Sequence, residues 1–244
     1  MFKSLSLLSY EIFDDKLDSI KIDSKRKIIV NCINSHAHIT AKNDLLFAKA
    51  LKESDIILPD GSGIVLAARV LKNKKIKKLA GQDFHLHILS SLNECKGSVF
   101  YMGSSEETLK LIQQNIKKDF PYIRFGKYSP PYKSSFSDED NELIIKAINL
   151  FDPDVLFVGL TAPKQEKWLY QNKEKLNFSI GSSIGAAFNF YAGDIERPSN
   201  FWIKLHLEWF KRFLKEPKRL FKRNFISSPL FLIEIFALKI NKKK

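Results

Sequence analysis

Up to residue 185, apolar runs of strand length alternate with stretches of helical period. The segments 27–33, 55–59, 98–103, 154–160 and 178–185 read as strands, and 40–54, 62–72, 81–94, 104–120, 137–151 and 162–176 read as helices. Such alternation predicts βαβ units, hence an α/β fold with a mainly parallel sheet flanked by helices. In open sheets of this kind, ligands bind beyond the carboxyl ends of the strands. The residues just past each strand therefore carry the functional expectation: Asn34, Asp60 with Gly61, Gly103 with Ser104, Thr161 to Gln165, and the turn 181–185. All are small, polar or glycine-bearing.

The chain has 244 residues, 44% of them apolar, enough for a core of one ordinary α/β domain. Its formal charge of +13 is unevenly spread: 197–244 holds 13 Lys and Arg against 3 Asp and Glu, whereas 1–196 holds 27 against 24. The expected organisation is a nearly neutral core over 1–196 and a basic helical appendage over 197–244. A tail of this charge calls for an anionic partner such as acidic lipid, nucleic acid or a phosphorylated substrate. Two cysteines form no disulfide framework and suggest a reducing compartment. The N-terminus does not read as a signal peptide, and no 18-residue apolar stretch predicts a transmembrane helix. A cytoplasmic protein is the default expectation.

Asp60 sits in "LPDGSG", between an apolar strand and a helix. A carboxylate there can cap the helix, hold a metal or take a proton from a substrate. In "TAPKQEKW", Pro163 suits the first helical turn, where free N–H groups bind anions or hydroxyls. Lys164 and Gln165 would then point at the ligand; the alternative is a plain helix start with a solvated Lys-Gln-Glu face. "HAH" and "HLH" carry histidines two apart, which do not share a helical face and make poor metal pairs. "DPD" at 152–154 has the letters of a metal–diphosphate motif but lies at the entry of a strand, and "DED" at 138–140 reads as helix N-terminal charge. No G-x-G-x-x-G or P-loop occurs, and neither a metal nor a cofactor is expected.

In the tail, Trp202, Leu205, Trp209 and Phe213 share one helical face, with Lys211, Arg212 and Lys215 elsewhere. A short apolar helix at 227–238 follows. Its 230–238 part either docks on an anionic bilayer, being too short to span it, or packs against the body or a second subunit.

Taken in order, "NCINSHAHIT", "LPDGSGIVLAARVL", "LAGQDF", "VGLTAPKQEKW", "GAAFNFYAGDIERPSNFW" and "LEWFKRFLKEPKRLFKR" resemble the WecG/TagA/CpsF glycosyltransferases, glycosyltransferase family 26, across nearly the whole chain. The resemblance implies a Rossmann-like core and an inverting enzyme without a metal-binding acidic pair. It implies transfer of an N-acetylmannosamine-type sugar, its uronic acid or glucose from UDP to a sugar on a polyprenyl diphosphate. It further implies a C-terminal appendage that closes the site and touches the inner membrane face, so that the enzyme is peripheral there. Carried over by position, Asp60 matches the candidate general base, Asn34 and Gln165 match substrate-holding residues, and Arg212 and Arg219 match arginines that meet the diphosphate. Cys32 stands where many members have threonine, Lys78 where arginine is usual, and Asn189 where aspartate is usual; these join Gly61, Gly103 and Lys164 as expected substrate contacts. "ERPS" replaces a usual "RAP". Lysine lacks the bidentate fork of arginine, so Lys78 bears on donor recognition. A homo-oligomer is left open. Two other readings compete: a basic nucleic-acid-binding protein, for which no motif is present, and a membrane scaffold with a degenerate pocket, against which Asp60, Asn34 and Gln165 argue.

Overall fold

The computed structural model describes residues 2–23, 26–193, 213 and 217–241. Among them, eight strands form one sheet in the order β1-β2-β4-β3-β8-β7-β5-β6. The strands are β1 (Ser4–Leu7), β2 (Tyr10–Phe13), β3 (Ile28–Ile33), β4 (Ile56–Pro59), β5 (Ser98–Gly103), β6 (Arg124–Tyr128), β7 (Val155–Gly159) and β8 (Ile180–Ser183). Only β1 and β2 pair antiparallel; every other pairing is parallel. The mainly parallel α/β sheet and its flanking helices match the expectation, and all five expected strands are present.

Local chemistry sets the helix boundaries. The expected helix over 40–54 is the shorter α2 (Leu45–Lys52), and an unexpected helix, α1 (Ser35–Ala41), precedes it. The Asn34 side chain accepts from Ala37 N–H at 2.9 Å, and the Asp44 carboxylate accepts from Phe47 N–H at 3.0 Å, so each helix has its own cap. Then come α3 (Ser62–Lys72), α4 (Gly81–Cys95), α5 (Glu106–Asp119), α6 (Asp138–Phe151), α7 (Lys164–Asn172) and α8 (Gly185–Ala192). Ser137 and Asp140 cap α6 reciprocally, which is the use made of the "DED" acids. Asp154 of "DPD" accepts from the Ser98 N–H and hydroxyl, both at 2.7 Å, tying the amino ends of β5 and β7. Besides α1, the β1–β2 hairpin, β6 and α8 are absent from the sequence reading. The hairpin turns on Leu8 and Ser9, both at positive φ, where Asn-Gly would have been legible.

Side chains alternate across the sheet. Val30, Leu58, Tyr101 and Phe157 face α4, α5 and α8 in one buried cluster. On the other face, Ile33 and Ile57 pack on α1, α2 and α3, while Ile29, Leu156 and Val158 pack on α6 and α7.

The described part of the tail is helical: α9 (Pro217–Phe221), one π-helical segment (Lys222–Ser227) and α10 (Ser228–Asn241) run without a break. The short helix expected at 227–238 is thus longer. The stretch Lys222–Asn241 is long and apolar enough, by length and composition, to cross a membrane. One face of α10 is spent on the body, with Phe231 and Ile235 fully buried among α1 and α3 side chains. Arg212, the Trp202 face and the expected core–appendage boundary lie outside the described residues.

Candidate active site

The carboxyl ends of β3 and β4 meet at a hydrogen bond from Asp60 N–H to Ile33 C=O, 2.9 Å long. The chain then turns through Gly61 at φ +106°, and a Cβ built there would lie 3.6 Å from Asn34 Cβ. Asp60-Gly61 and Asn34 therefore share one corner. Gly61, not Asp60, occupies the position before α3, and no side chain caps that helix. The capping alternative for Asp60 is removed. Among the described residues, its half-buried carboxylate makes no hydrogen bond and no ion pair.

Cys32, half-buried beside this corner, has a thiol held well above its usual range. Burial is the main cause, followed by the carboxylates of Asp60, Glu166 and Asp83. Three acidic groups thus converge on the end of β3, and the thiol stays protonated. Lys78 lies in the strand-like approach to α4, next to Leu79, whose N–H donates to Pro59 C=O at 3.0 Å.

The floor beyond β5, β7 and β8 is backbone. Gly103, at φ +113°, would drive a Cβ to 2.4 Å from Gly159 C=O. A Cβ on Gly159 would meet Phe188 at 2.3 Å, and one on Gly185 would meet Leu160 C=O at 2.5 Å. Glycine is required here by close approach rather than by chain flexibility. Asn189 lies half-buried on α8 above this floor.

Gln165 is buried, with its carbonyl accepting from Gly185 N–H at 3.2 Å and its amide nitrogen donating to Glu166 Oε1 at 2.9 Å. It bolts the start of α7 to the start of α8. Lys164 does otherwise: its ammonium donates to Lys133 C=O at 2.7 Å and sits over the Phe136 ring, on the loop after β6. The expected pairing of Lys164 with Gln165 over one ligand is therefore not formed. Burial lowers the Lys164 pKa.

Glu166 was overlooked by the reading of a solvated Lys-Gln-Glu face. It is 5% exposed, and burial pushes its carboxyl up to about 7. The signal was available, because Gln165, Trp168, Leu169 and Asn172 recur at helical spacing and all are buried.

The C-terminal helices reach the same edge. A Cβ on Gly63 would touch Ser35 Oγ and lie 3.3 Å from Phe231, and His36 shares a 2.8 Å hydrogen bond with Ser227 Oγ. Burial depresses the His36 pKa, and nearby Arg223 and Lys222 add to the effect. These tail cations thus lie near His36, itself two residues past Asn34; the Arg219 side chain lies outside the described residues. The histidines disperse: His38 to Glu234, His85 to Tyr101, His87 toward Asp18. Two cavities of about 360 and 480 Å³ lie elsewhere, the first at the amino ends of β3 and β8 around Ile28 and Ser179, the second around His87 and Ser91.

Known proteins give a consistent picture. The family model described as "Glycosyl transferase WecG/TagA/CpsF family" matches residues 6–244. A Bacillus subtilis (strain 168) protein named N-acetylglucosaminyldiphosphoundecaprenol N-acetyl-beta-D-mannosaminyltransferase is 29% identical over 231 residues, covering 95% of this chain and 88% of its own. Proteins of the same name from Bacillus spizizenii and Staphylococcus aureus (strain MW2) are 26% and 27% identical, covering 91% and 81% of this chain and 84% and 75% of their own.

Proposed function

Because the chain belongs to the WecG/TagA/CpsF family of glycosyltransferases, we propose that it transfers an N-acetylmannosamine-type sugar from a UDP donor to a polyprenyl-diphosphate-linked sugar. The related uronic acid and glucose are the alternative donor sugars. The relatives' names, which specify an N-acetylmannosaminyl transfer to N-acetylglucosaminyl-diphosphoundecaprenol, favour the first.

The observation that carries the reading is Asp60: a carboxylate at the carboxyl edge of the sheet, without a partner among the described residues, in the corner it shares with Asn34. In a single displacement, the acceptor hydroxyl gives its proton to Asp60 as its oxygen bonds to C1 of the sugar. The C1–O bond to UDP breaks, UDP leaves with the electron pair, and C1 is inverted. General base catalysis of this kind contributes typically ~10²–10⁴-fold. The charge on the leaving diphosphate calls for cations and helix N-termini: Lys78, Lys222, Arg223 and the appendage arginines Arg212 and Arg219 are the groups this sequence offers.

The same reading puts the enzyme at the inner membrane face. Leu230, Ile233, Phe236 and Ile240 are exposed on α10, while Glu234 turns inward. This outward apolar face with basic Lys239 and 242–244 suits an anionic bilayer surface. Removing the whole appendage would uncover Phe231 and Ile235 partners in the core, so Ile233→Asp with Phe236→Asp is the cleaner variant. It should lose binding to anionic vesicles without losing its fold; undiminished binding refutes membrane docking. The function itself is tested by UDP release with a panel of UDP-sugars and a short-chain polyprenyl diphosphate bearing N-acetylglucosamine. Absence of sugar-dependent UDP release across the panel refutes the reading.

A further inference from the structure

The Gln165 amide is held at both ends. Gly185 N–H can only donate, so it fixes which end of the amide is oxygen; Glu166 Oε1 then receives one hydrogen of the amide nitrogen. One N–H and one lone pair remain on Gln165 for anything else. The other carboxylate oxygen, Glu166 Oε2, is buried and has no hydrogen-bond partner among the described residues.

That oxygen does not stand alone. Ser183 Oγ and Asn31 Oδ1 are also buried without hydrogen-bond partners among the described residues. Ser183 lies two residues past Gly181, on the face where a Cβ on Gly181 would sit 3.3 Å from Leu169 of α7. Asn31 stands one step beyond the Val30–Ser182 pair on the neighbouring strand, on the same face as Ile29, which packs with Leu169. Asn31 and Ser183 thus put buried polar groups on the face of the sheet that packs on α7. A buried carboxyl is an expensive way to accept one hydrogen bond, and such groups concentrate at functional sites.

We propose that Glu166 is a positioning residue for sugar transfer: it holds the Gln165 amide, and through it the first turn of α8, in the orientation that turns the remaining amide N–H toward the substrate. This rests on reading Gln165 as a substrate-holding residue of a glycosyltransferase. Glu166 itself, being buried, touches no substrate. Its effect runs through Gln165 and Gly185, so it governs donor binding and alignment rather than proton transfer.

The test is a double-mutant cycle on the full-length enzyme, with Glu166→Leu, Gln165→Ala and both together, assayed for kcat and KM of UDP-sugar. Glu166→Leu should lower kcat/KM by about tenfold or more, as lost supporting contacts commonly do. The double variant should be no worse than Gln165→Ala within about twofold, the scatter expected of independent sites. Glu166→Gln keeps an acceptor oxygen and should stay within a few-fold of the parent. Additive losses, or a Glu166→Gln variant as damaged as Glu166→Leu, overturn the proposal while leaving the transferase reading intact. A readout without turnover judges it even if no donor is accepted: hydrogen exchange of the Gly185 amide should accelerate in Glu166→Leu and not in Glu166→Gln. Unchanged exchange in Glu166→Leu likewise overturns it.

Discussion

Glu234 of α10 reaches His38 of α1 across 196 positions of sequence, with both carboxylate oxygens 3.3 Å from Nε2. Burial pulls the His38 pKa below its usual range, against the opposing pull of Glu234, so at neutral pH the ring is a neutral partner. The ionic part of the contact is Lys42, 3.0 Å away. For Glu234, burial pushes the pKa up, but Lys42 and His38 together outweigh it and the net shift is downward. A depressed carboxyl stabilises above its unfolded pKa and loses that contribution as pH falls through the folded value. A depressed histidine acts in the same sense below its own unfolded pKa. Acid should therefore release α10 ahead of the sheet, read by hydrogen exchange along 228–241. Glu234→Gln should loosen the same helix at pH 7 by about 1 kcal/mol, discounting the exposed Lys42.

Asp60→Asn should abolish most transfer while leaving the fold and UDP binding in place. The substitution keeps size and removes the base, and Asp60 N–H to Ile33 C=O is a backbone contact that it does not disturb. Retention of more than about a tenth of kcat at saturating substrates is inconsistent with a general base, whose removal costs ~10²-fold or more.

The pH dependence of stability should carry the mark of Glu166. Its carboxyl is raised from an ordinary value near 4.5 to about 7, chiefly by burial. Below the unfolded pKa both states hold the proton and nothing is lost. As pH rises toward 7 the unfolded chain releases it first, so folding is penalised, by an amount on the order of 3 kcal/mol above pH 7. Glu166→Gln should therefore raise Tm at pH 8 and have little effect near pH 4. Equal Tm differences at both pH values contradict the assignment.

Gly103→Ala should destabilise by about 2 kcal/mol or more, because alanine is strained at this positive φ and the atom in its way is a backbone carbonyl. For a chain of this size Tm should fall by about 4–8 °C. Thermal denaturation of the purified variant measures it directly.

What the sequence made legible follows from range of interaction. The buried strands β4, β5 and β7 are mostly apolar runs bounded by turn residues, and caps such as Ser105 act on a residue three positions on, Thr108 N–H. β6 was missed because "RFGKY" draws its place in the sheet from pairing with β5, not from its own pattern. α8 was missed because "GAAFNFYA" is apolar nearly all round and shows no periodic face. The positions of Asp60 and Asn34 past strand ends, and of Gln165 at the start of α7, were legible because the motifs around them are local. For Glu166 the helical spacing of Trp168, Leu169 and Asn172 pointed inward, but a glutamate between Lys164 and Lys167 reads as solvent-facing when charge is weighed over spacing. Lys222 and Arg223 gain their place only from the way α10 seats on α1 and α3, a contact between residues nearly 200 positions apart.

The glycine floor has a consequence for how such an enzyme can be retuned. At Gly103, Gly159 and Gly185 the nearest obstacles are backbone carbonyls and the Phe188 ring, so these three positions have no side-chain alphabet to explore. A library that seeks a new donor sugar gains nothing by diversifying them and loses folded members for each attempt. Cys32, Lys78 and Asn189, the half-buried positions expected at the substrate, are where a library built on the proposed function would be varied instead. On the proposed function, donor choice would be tuned at that margin while the glycine bed beneath it stays the same.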